Sequence, residues 1–331
     1  MSRISQTLFS ALDLAPIRDD GTPAEALHNA LALAQHVERL GFERFWVAEH
    51  HNMDGIASAA TSVLIGYLAA NTSRIRLGAG GVMLPNHAPL VIAEQFGTLE
   101  ALYPGRIELG LGRAPGADQF TAHALRRDRM GSADDFPADV EELELLLGPG
   151  QPNQRVIAMP GVDSNVPIWL LGSSLFSAQL AAAKGLPYAF ASHFAPRFMH
   201  QAIKLYRDNF TPSRVLDKPY VMLGVPLIAA DSDEQAEYLA TSVYQRILSL
   251  IRGQSLVLRP PVKSMQGQWL PHEQQAVGDF LGLALIGGPE KVRARLDVLL
   301  EQTQADELIF TCDLYETADR HRAFEILAGL K

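Results

Sequence analysis

The sequence has a single cysteine, Cys312, among its 331 residues. One cysteine cannot form an intrachain disulfide, so a hydrophobic core must stabilise the fold, and this composition fits a reducing compartment. No uninterrupted apolar run reaches the roughly 18 residues that a membrane-spanning helix needs. Residues 1–16 lack the basic start and the sustained apolar core of a signal peptide. We therefore expect a cytoplasmic protein without a membrane segment.

Clusters of basic residues are also absent. The chain has 28 Lys and Arg against 37 Asp and Glu, which gives a formal net charge of −9 at pH 7. This surplus of negative charge repels a phosphate backbone, so we expect no nucleic-acid partner. Hydrophobic residues make up 47% of the chain, which is enough for a large core. α/β barrels of this length commonly form one domain.

Short β-type runs alternate with longer segments of helical periodicity along the whole chain. The first run is followed by a helix that opens at Thr22 and Pro23, where Glu25 completes a capping box. Eight strand–helix units predict a (β/α)8 TIM barrel, with a doubly wound open sheet as the alternative, because alternation alone does not determine closure. The predicted strands are 8–14, 42–50, 75–84, 107–113, 167–172, 188–193, 220–230 and 307–312.

Two segments interrupt this alternation. Residues 114–134 are rich in charge, and residues 254–286 are rich in Pro, Gly and Gln. Connections this long in a compact domain are usually lids, binding loops or disordered segments. We expect residues 1–331 to form a single barrel domain with extended loops, in which 254–286 is a lid.

Polar and small residues gather at the C-terminal ends of five predicted strands. These ends form the catalytic face of a TIM barrel, so their placement favours the closed barrel over the open sheet. The five clusters are Glu49-His50-His51-Asn52, Gly80-Gly81, Gly112-Arg113, Gly172-Ser173-Ser174 and Ser192-His193.

The two adjacent histidines stand in the most polar of these clusters. Side chains alternate along a strand, so only one of His50 and His51 can face the barrel mouth. A structural hydrogen bond at a strand end explains a lone histidine equally well. A metal site needs further inward ligands, for which His193 and Asp313 are candidates. Their spacing matches no metal motif, and we expect no bound metal.

The segment Gly78-Ala79-Gly80-Gly81 is unusual for a buried strand. Glycine there marks a bulge or the close approach of a ligand. The segment lacks the third glycine of a dinucleotide-binding fingerprint. A flat ring lying against the backbone explains the glycines, and a bulge that helps the barrel to pack is the alternative.

A phosphate site is predicted where the fifth strand meets its helix. Gly172, Ser173, Ser174 and Ser177 lie at this junction, and free N–H groups at a helix N-terminus attract anions. The serines alone are more often a plain helix cap. Arg113, on the neighbouring predicted strand, adds a side chain whose geometry suits phosphate.

Together these motifs resemble the luciferase-like flavin monooxygenases over essentially the whole chain. The resemblance implies a barrel that binds FMN, and commonly a homodimer. It places His50 beside the flavin as the catalytic candidate, with His193 as a further candidate near the flavin and substrate. It implies a cis peptide under the flavin ring at Gly80-Gly81. The matching segments are 45–53, 78–87, 93–96, 104–107, 110–113, 170–174 and 190–194.

The same resemblance assigns the flavin phosphate to Arg113, Ser173, Ser174 and Ser177, next to Gly172. It implies a monooxygenase that uses reduced FMN and O2 to oxidise a small organic substrate. A separate flavin reductase supplies the reduced FMN, since no second nucleotide-binding motif is present. Alternatives of the same fold are a non-catalytic flavin-binding protein and a deazaflavin-dependent dehydrogenase. Light emission is not expected, because Gly112 stands where the luciferase α subunit has a cysteine.

Overall fold

The computed structural model describes residues 3–113, 119–125, 135–193 and 196–331. Within these ranges the chain forms nine β-strands. They are β1 Leu8–Asp13, β2 Arg44–Val47, β3 Arg76–Met83, β4 Ile107–Gly112, β5 Ile168–Gly172, β6 Tyr188–Phe190, β7 Val221–Ala229, β8 Leu285–Gly287 and β9 Glu307–Thr311.

Eight of these strands close into a parallel barrel. They pair in the order β1–β2–β3–β4–β5–β6–β7–β9, and β9 returns to β1. The ninth strand, β8, lies outside the ring and pairs with residues 227–229 of β7. The prediction of a (β/α)8 barrel is confirmed. The open-sheet alternative is wrong, because β6 pairs with β7 and leaves no free edge in the ring.

Helices surround the barrel, and the first long one begins as predicted. Thr22 Oγ1 accepts from the Glu25 N–H at 3.2 Å, and the Glu25 carboxylate accepts from the Thr22 N–H at 2.7 Å. No helix in the described ranges is long and apolar enough to cross a membrane. The α-helices there are α1 Arg3–Gln6, α2 Pro23–Arg39, α3 Thr61–Ala70, α4 Pro89–Leu102, α5 Gln119–Leu125, α6 Phe136–Leu147, α7 Leu175–Lys184, α8 Met199–Asp208, α9 Asp233–Ile251, α10 Pro271–Phe280, α11 Pro289–Thr303 and α12 Thr317–Ala328.

Several elements differ from the predicted pattern. Helix α10 and the first two residues of strand β8 lie within the segment 254–286, which the sequence predicts as a loop, and α5 lies within 114–134. The remainder of that second segment, 114–118 and 126–134, is outside the described residues. Strand β2 ends at Val47 rather than at residue 50, because the His50 N–H donates to the Ser58 carbonyl and the chain has left the sheet.

Two apolar cores lie on opposite faces of the barrel wall. The larger one, between strands and helices, contains Phe45, and the smaller one, inside the barrel, contains its neighbour Trp46. This division follows from the alternation of side chains along a strand. Inside the barrel, Trp46 meets Trp169 edge to face with ring centroids 5.3 Å apart. Met222 and Ile309 complete this interior layer.

A buried ion network closes the N-terminal end of the barrel. Arg44 Nη1 donates to both Glu108 oxygens at 2.5 and 2.6 Å, and its Nε and Nη2 donate to Glu307 at 2.7 and 2.9 Å. The guanidinium also lies over the Trp169 ring, 4.8 Å from its centroid. Ser10 and Tyr220 donate to Glu307 as well. The network therefore joins β1, β2, β4 and β9.

In this network, burial and the neighbouring charges shift the pKa values of Arg44 and Glu307 in opposite directions. Burial alone lowers the pKa of Arg44, but Glu307 and Glu108 outweigh it and raise that pKa. Burial raises the pKa of the Glu307 carboxyl, and the Arg44 charge acts against that rise. Arg44 therefore stays protonated at neutral pH, whereas for Glu307 burial outweighs the Arg44 charge and the pKa is raised.

We expect Arg44→Met to destabilise the protein by about 3–5 kcal/mol, because two buried carboxylates lose their cation. Urea denaturation measures the free energy of unfolding. The stability of Arg44→Lys should lie between those of the wild type and Arg44→Met. Arg322→Met is the matched control, since Arg322 is half exposed and its ion pairs contribute less than about 1 kcal/mol. Equal stabilities for the two Met variants would contradict this account.

Candidate active site

A cavity of about 370 Å³ lies at the C-terminal end of the barrel. Every residue that the sequence assigned to the site lines it, although those residues come from five separate strand ends. The assigned residues are His50, Gly80, Gly81, Arg113, Gly172, Ser173, Ser174, Ser177 and His193. The structure therefore brings the predicted site together, while the role of each residue stays a prediction.

The glycines of β3 form one wall of this cavity. The Gly80-Gly81 peptide bond is cis, as the resemblance implied. The pairing register of β3 with β4 shifts between Ala79 and Val82, so a bulge is also present. A Cβ on Gly78 would lie 2.7 Å from Trp46 Nε1, so close packing accounts for this glycine. The bulge and the cavity wall are thus two properties of one segment.

The N-terminus of α7 lies at one end of the cavity. Ser174 occupies the cap position, but its side chain makes no capping hydrogen bond within the described chain. The first-turn N–H groups therefore donate no capping hydrogen bond to the Ser174 side chain, although Ser174 stands at the N-cap position. A Cβ on Gly172 would lie 2.0 Å from Ser177 Oγ, so glycine is needed for the close approach of β5 to α7.

Arg113 supplies positive charge at the same end. Its guanidinium lies over the Phe176 ring, 4.2 Å from the centroid, which keeps it beside the first turn of α7. A cation next to free helix N–H groups is a favourable arrangement for a phosphate or another anion. The predicted proximity of Arg113 to the serines is confirmed by the cavity they share.

His50 and His193 line the rest of the cavity as neutral imidazoles. Burial lowers the pKa of His50 to about 4, and the nearby Arg246 charge adds to this effect. Burial likewise lowers the pKa of His193 to about 4. His50 Nδ1 is buried and has no hydrogen-bond partner within the described ranges. At neutral pH the imidazole therefore carries one N–H and one lone pair, and the His50 side chain lines the cavity.

The neighbouring Glu49 connects the loops that follow β2 and β3. Its Oε1 accepts from Nε2 of both His51 and His87 at 2.8 Å, and its Oε2 accepts from the Met83 N–H at 3.2 Å. Burial raises the pKa of this carboxyl, but the hydrogen bonds from His87, His51 and Met83 outweigh it and lower the pKa. Of the two adjacent histidines, His50 lines the cavity and His51 bonds to Glu49.

The metal alternative named His193 and Asp313, and the structure gives Asp313 another partner. Asp313 accepts from Arg246 Nη1 at 2.7 Å, and both side chains are largely buried. Among the residues with assigned positions, the one group with metal-ligand proximity is Glu49, His51 and His87, whose ligand atoms lie within 4.8 Å of one another. The sequence did not single out Arg246, which stands in no recognisable motif, and it gave no role to His87, although His87 ends the matching segment 78–87.

The fold and site define a parallel TIM-barrel protein whose C-terminal face combines a helix N-terminus beside an arginine, a glycine wall and neutral histidines. The family description that matches residues 8–307 is that of the luciferase-like monooxygenases. The chain therefore belongs to the luciferase-like monooxygenase family and is an oxidoreductase.

Its relatives agree with this assignment. A luciferase-like monooxygenase of Escherichia coli (strain K12) is 54% identical over 323 residues, which cover 98% of this chain and 96% of the relative. The N-acetyl-S-alkylcysteine monooxygenase of Bacillus subtilis (strain 168) is 45% identical over 235 residues, covering 69% and 70% of the two chains. The solved structure of apo-MsnO8 is 33% identical, with a TM-score of 0.87 and 98% coverage of both chains.

More distant structures share the fold alone. The oxygenating constituent of 3,6-diketocamphane monooxygenase from Pseudomonas putida, in complex with FMN, has a TM-score of 0.72 at 18% identity, covering 98% of this chain and 97% of that one. An F420-dependent secondary alcohol dehydrogenase has a TM-score of 0.70 at 14% identity, covering 98% and 99%. The fold thus serves proteins with either coenzyme.

We expect Glu49→Gln to lower the free energy of unfolding by about 1–3 kcal/mol at pH 7, because a buried, hydrogen-bonded carboxylate is lost. A carboxyl with a lowered folded pKa stabilises above its unfolded pKa, about 4.3, and this contribution disappears as the pH falls through the folded value. Urea denaturation at pH 7 and at successively lower pH measures the difference. Glu43→Gln, at a more exposed carboxyl, is the control. A difference that does not change with pH would contradict the prediction.

Proposed function

We propose that the protein is an FMN-dependent monooxygenase that receives reduced FMN from a separate reductase and uses O2 to oxidise a small organic substrate. The observation that carries this proposal is the meeting, in one cavity, of a cationic helix end, a glycine wall and a neutral histidine. The relatives named as monooxygenases at 54% and 45% identity support it.

The shape of the cavity fits a flat, phosphorylated cofactor. Its volume of about 370 Å³ falls in the range of about 300–1,000 Å³ that is usual for small-molecule and cofactor sites. A Cβ on Gly80 would lie 2.8 Å from Leu12 Cδ1 and 3.0 Å from Trp46 Cε3, so a side chain is excluded and this wall stays flat. The residues proposed to hold FMN are Gly80, Gly81, Arg113, Gly172, Ser173, Ser174, Ser177 and His193.

The chain contributes binding, orientation and the exclusion of water. Arg113 and the first turn of α7 would hold the phosphate of the cofactor. When bound, reduced FMN supplies the electrons that activate O2. Leu12, Trp46 and Ala189 are buried apolar residues on the cavity wall, and they keep bulk water from the reacting groups.

His50 is proposed as the catalytic residue. Its imidazole is neutral above about pH 4, and Nδ1 has no partner within the described part of the chain. A neutral imidazole can hold a proton on one nitrogen and accept one at the other. His50 therefore exchanges a proton with the reacting groups without introducing a buried charge in its resting state.

The remaining features of the proposal concern assembly. We propose that residues 1–331 form one domain and that the segment 254–286 acts as a lid, since Phe280 of α10 lines a chamber next to His50. A homodimer is proposed from the family. A cytoplasmic location is proposed from the single cysteine.

We expect reduced FMN to bind more tightly than reduced riboflavin, because only FMN carries the phosphate that faces Arg113. Arg113→Met should weaken FMN binding by about ten- to a hundred-fold, as a charge-assisted hydrogen bond contributes about 1.5–3 kcal/mol. Anaerobic fluorescence titration measures both affinities. Arg197→Met is the control, since Arg197 is exposed and pairs only with Asp279 in the described structure.

The same titration tests the alternatives. Equal affinities for FMN and riboflavin would overturn the phosphate assignment. Tight binding of F420, with its reduction by a substrate in the absence of O2, would show a deazaflavin-dependent dehydrogenase. Tight FMN binding without oxidation of any substrate would show a flavin-binding protein without turnover.

We expect His50→Ala to lower the rate of substrate oxidation by about a hundred-fold or more, as for the loss of a general acid–base group. The assay is ¹⁸O incorporation from O2 into a panel of neutral and anionic sulfides, ketones and aldehydes. Because the pKa of His50 is about 4, the wild-type rate should show no His50-dependent change between about pH 5 and 8. An inflection near pH 6.5 that His50→Gln abolishes would contradict this.

A further inference from the structure

A second chamber of about 160 Å³ adjoins the cofactor cavity. Leu14, His50 and His193 line both spaces, so the two meet at the histidines. The other walls of the chamber come from β7, from α9 and from the end of α10. These walls include Leu227, Ile228, Val243, Ile247, Phe280 and Leu281.

The surface of this chamber is almost entirely hydrocarbon. Twelve of its seventeen lining residues are apolar. The cofactor cavity differs, because its far end presents Arg113, three serines and the N–H groups of α7. The chamber contains no comparable group of serines or glycines. Binding there depends mainly on the burial of apolar surface.

The charged groups in the chamber compensate one another. Arg246 on α9 donates to Asp313, which follows β9, at 2.7 Å, and its Nη2 also donates to the Gly55 carbonyl. Arg246 is 9% exposed and Asp313 is 23% exposed, so the pair is shielded from bulk water. His50 and His193 add no charge, because burial keeps both neutral at pH 7. The described residues that line the chamber thus carry no net charge to offer an ion.

We propose that this chamber is the substrate site and that its substrate is a small, neutral molecule with a hydrocarbon body and one oxidisable atom. The atom to be oxidised lies at the end lined by His50 and His193, where the chamber meets the cofactor cavity. This inference rests on the proposed function, because the cofactor supplies the oxidising power.

The volume limits the size of the substrate. An apolar protein cavity of about 150 Å³ holds a benzene-sized molecule, and this chamber measures about 160 Å³. An anionic substrate is selected against, since a carboxylate buried here must compete with Asp313 for Arg246 or remain without a cation. A phenyl or short alkyl sulfide has the required size and polarity.

The overall reaction on such a probe balances. A dialkyl or aryl alkyl sulfide, O2 and reduced FMN give the sulfoxide, water and oxidised FMN. The sulfur gains one oxygen atom and loses two electrons. Reduced FMN provides two further electrons and two protons, which convert the second oxygen atom to water.

The test compares methyl phenyl sulfide with (phenylthio)acetate, which adds a carboxylate to the same body. Titration calorimetry on the full-length protein measures binding without any turnover. We expect the neutral sulfide to bind about ten-fold or more tightly than the anion at pH 7. Asp313→Asn should reverse this preference, because it leaves the Arg246 charge without its counter-ion. Val243→Phe should abolish binding of the neutral sulfide by filling the chamber, with FMN binding unchanged.

The outcomes separate the two proposals. A wild-type protein that binds the anion as tightly as the neutral sulfide, or binds neither, overturns the chamber assignment. So does undiminished sulfide binding by Val243→Phe, or an unchanged preference in Asp313→Asn. The expected binding pattern without any sulfoxide formed from reduced FMN and O2 contradicts the monooxygenase reaction, and leaves a chamber that binds small neutral molecules.

Discussion

The barrel depends on Arg44, which is buried at its N-terminal end between Glu108 and Glu307. These carboxylates belong to β4 and β9, on either side of β2, so one guanidinium joins three strands of the ring. The same network positions the next layer, because Trp46 Nε1 donates to Glu108 at 3.0 Å and Trp169 lies against Arg44. Trp46 then lies against Gly80 and lines the cofactor cavity. The buried charges at the N-terminal end of the barrel thus position the side chains that line the cavity at its C-terminal end.

The architecture was accessible from the sequence because its signals are local. Apolar periodicity, a capping box at Thr22 and glycines after strands mark each β/α unit within a short window. Closure of the barrel could be predicted because polar residues stand at the C-terminal ends of the strands. The short elements inside 254–286 were not accessible in this way. Strand β8 has three residues, and only its pairing with β7, far away in sequence, makes it a strand.

The residues of the site also fall into those that local sequence signals predict and those that only tertiary contacts define. His50, Arg113 and the serines before α7 stand at strand ends, where position alone suggests a function. The partnership of Arg246 with Asp313 joins residues 67 positions apart, and that of Glu49 with His87 joins residues 38 apart. Nothing adjacent to Arg246 in the chain distinguishes it from a surface side chain, and the segment 78–87 that contains His87 does not identify Glu49 as its partner. Their roles come from tertiary contacts, which periodicity does not encode.

The cavity of about 370 Å³ and the chamber of about 160 Å³, which meet at His50 and His193, are lined by different parts of the chain. Apart from Gly224 and Ile309, the cofactor cavity is lined by residues 12–193, whereas most of the chamber wall comes from residues 226–313. A genetic exchange with its boundary between β6 and β7 therefore replaces most of one lining and little of the other. The lining of the chamber can therefore diverge through changes in the C-terminal third of the gene while the lining of the larger cavity is inherited almost unchanged.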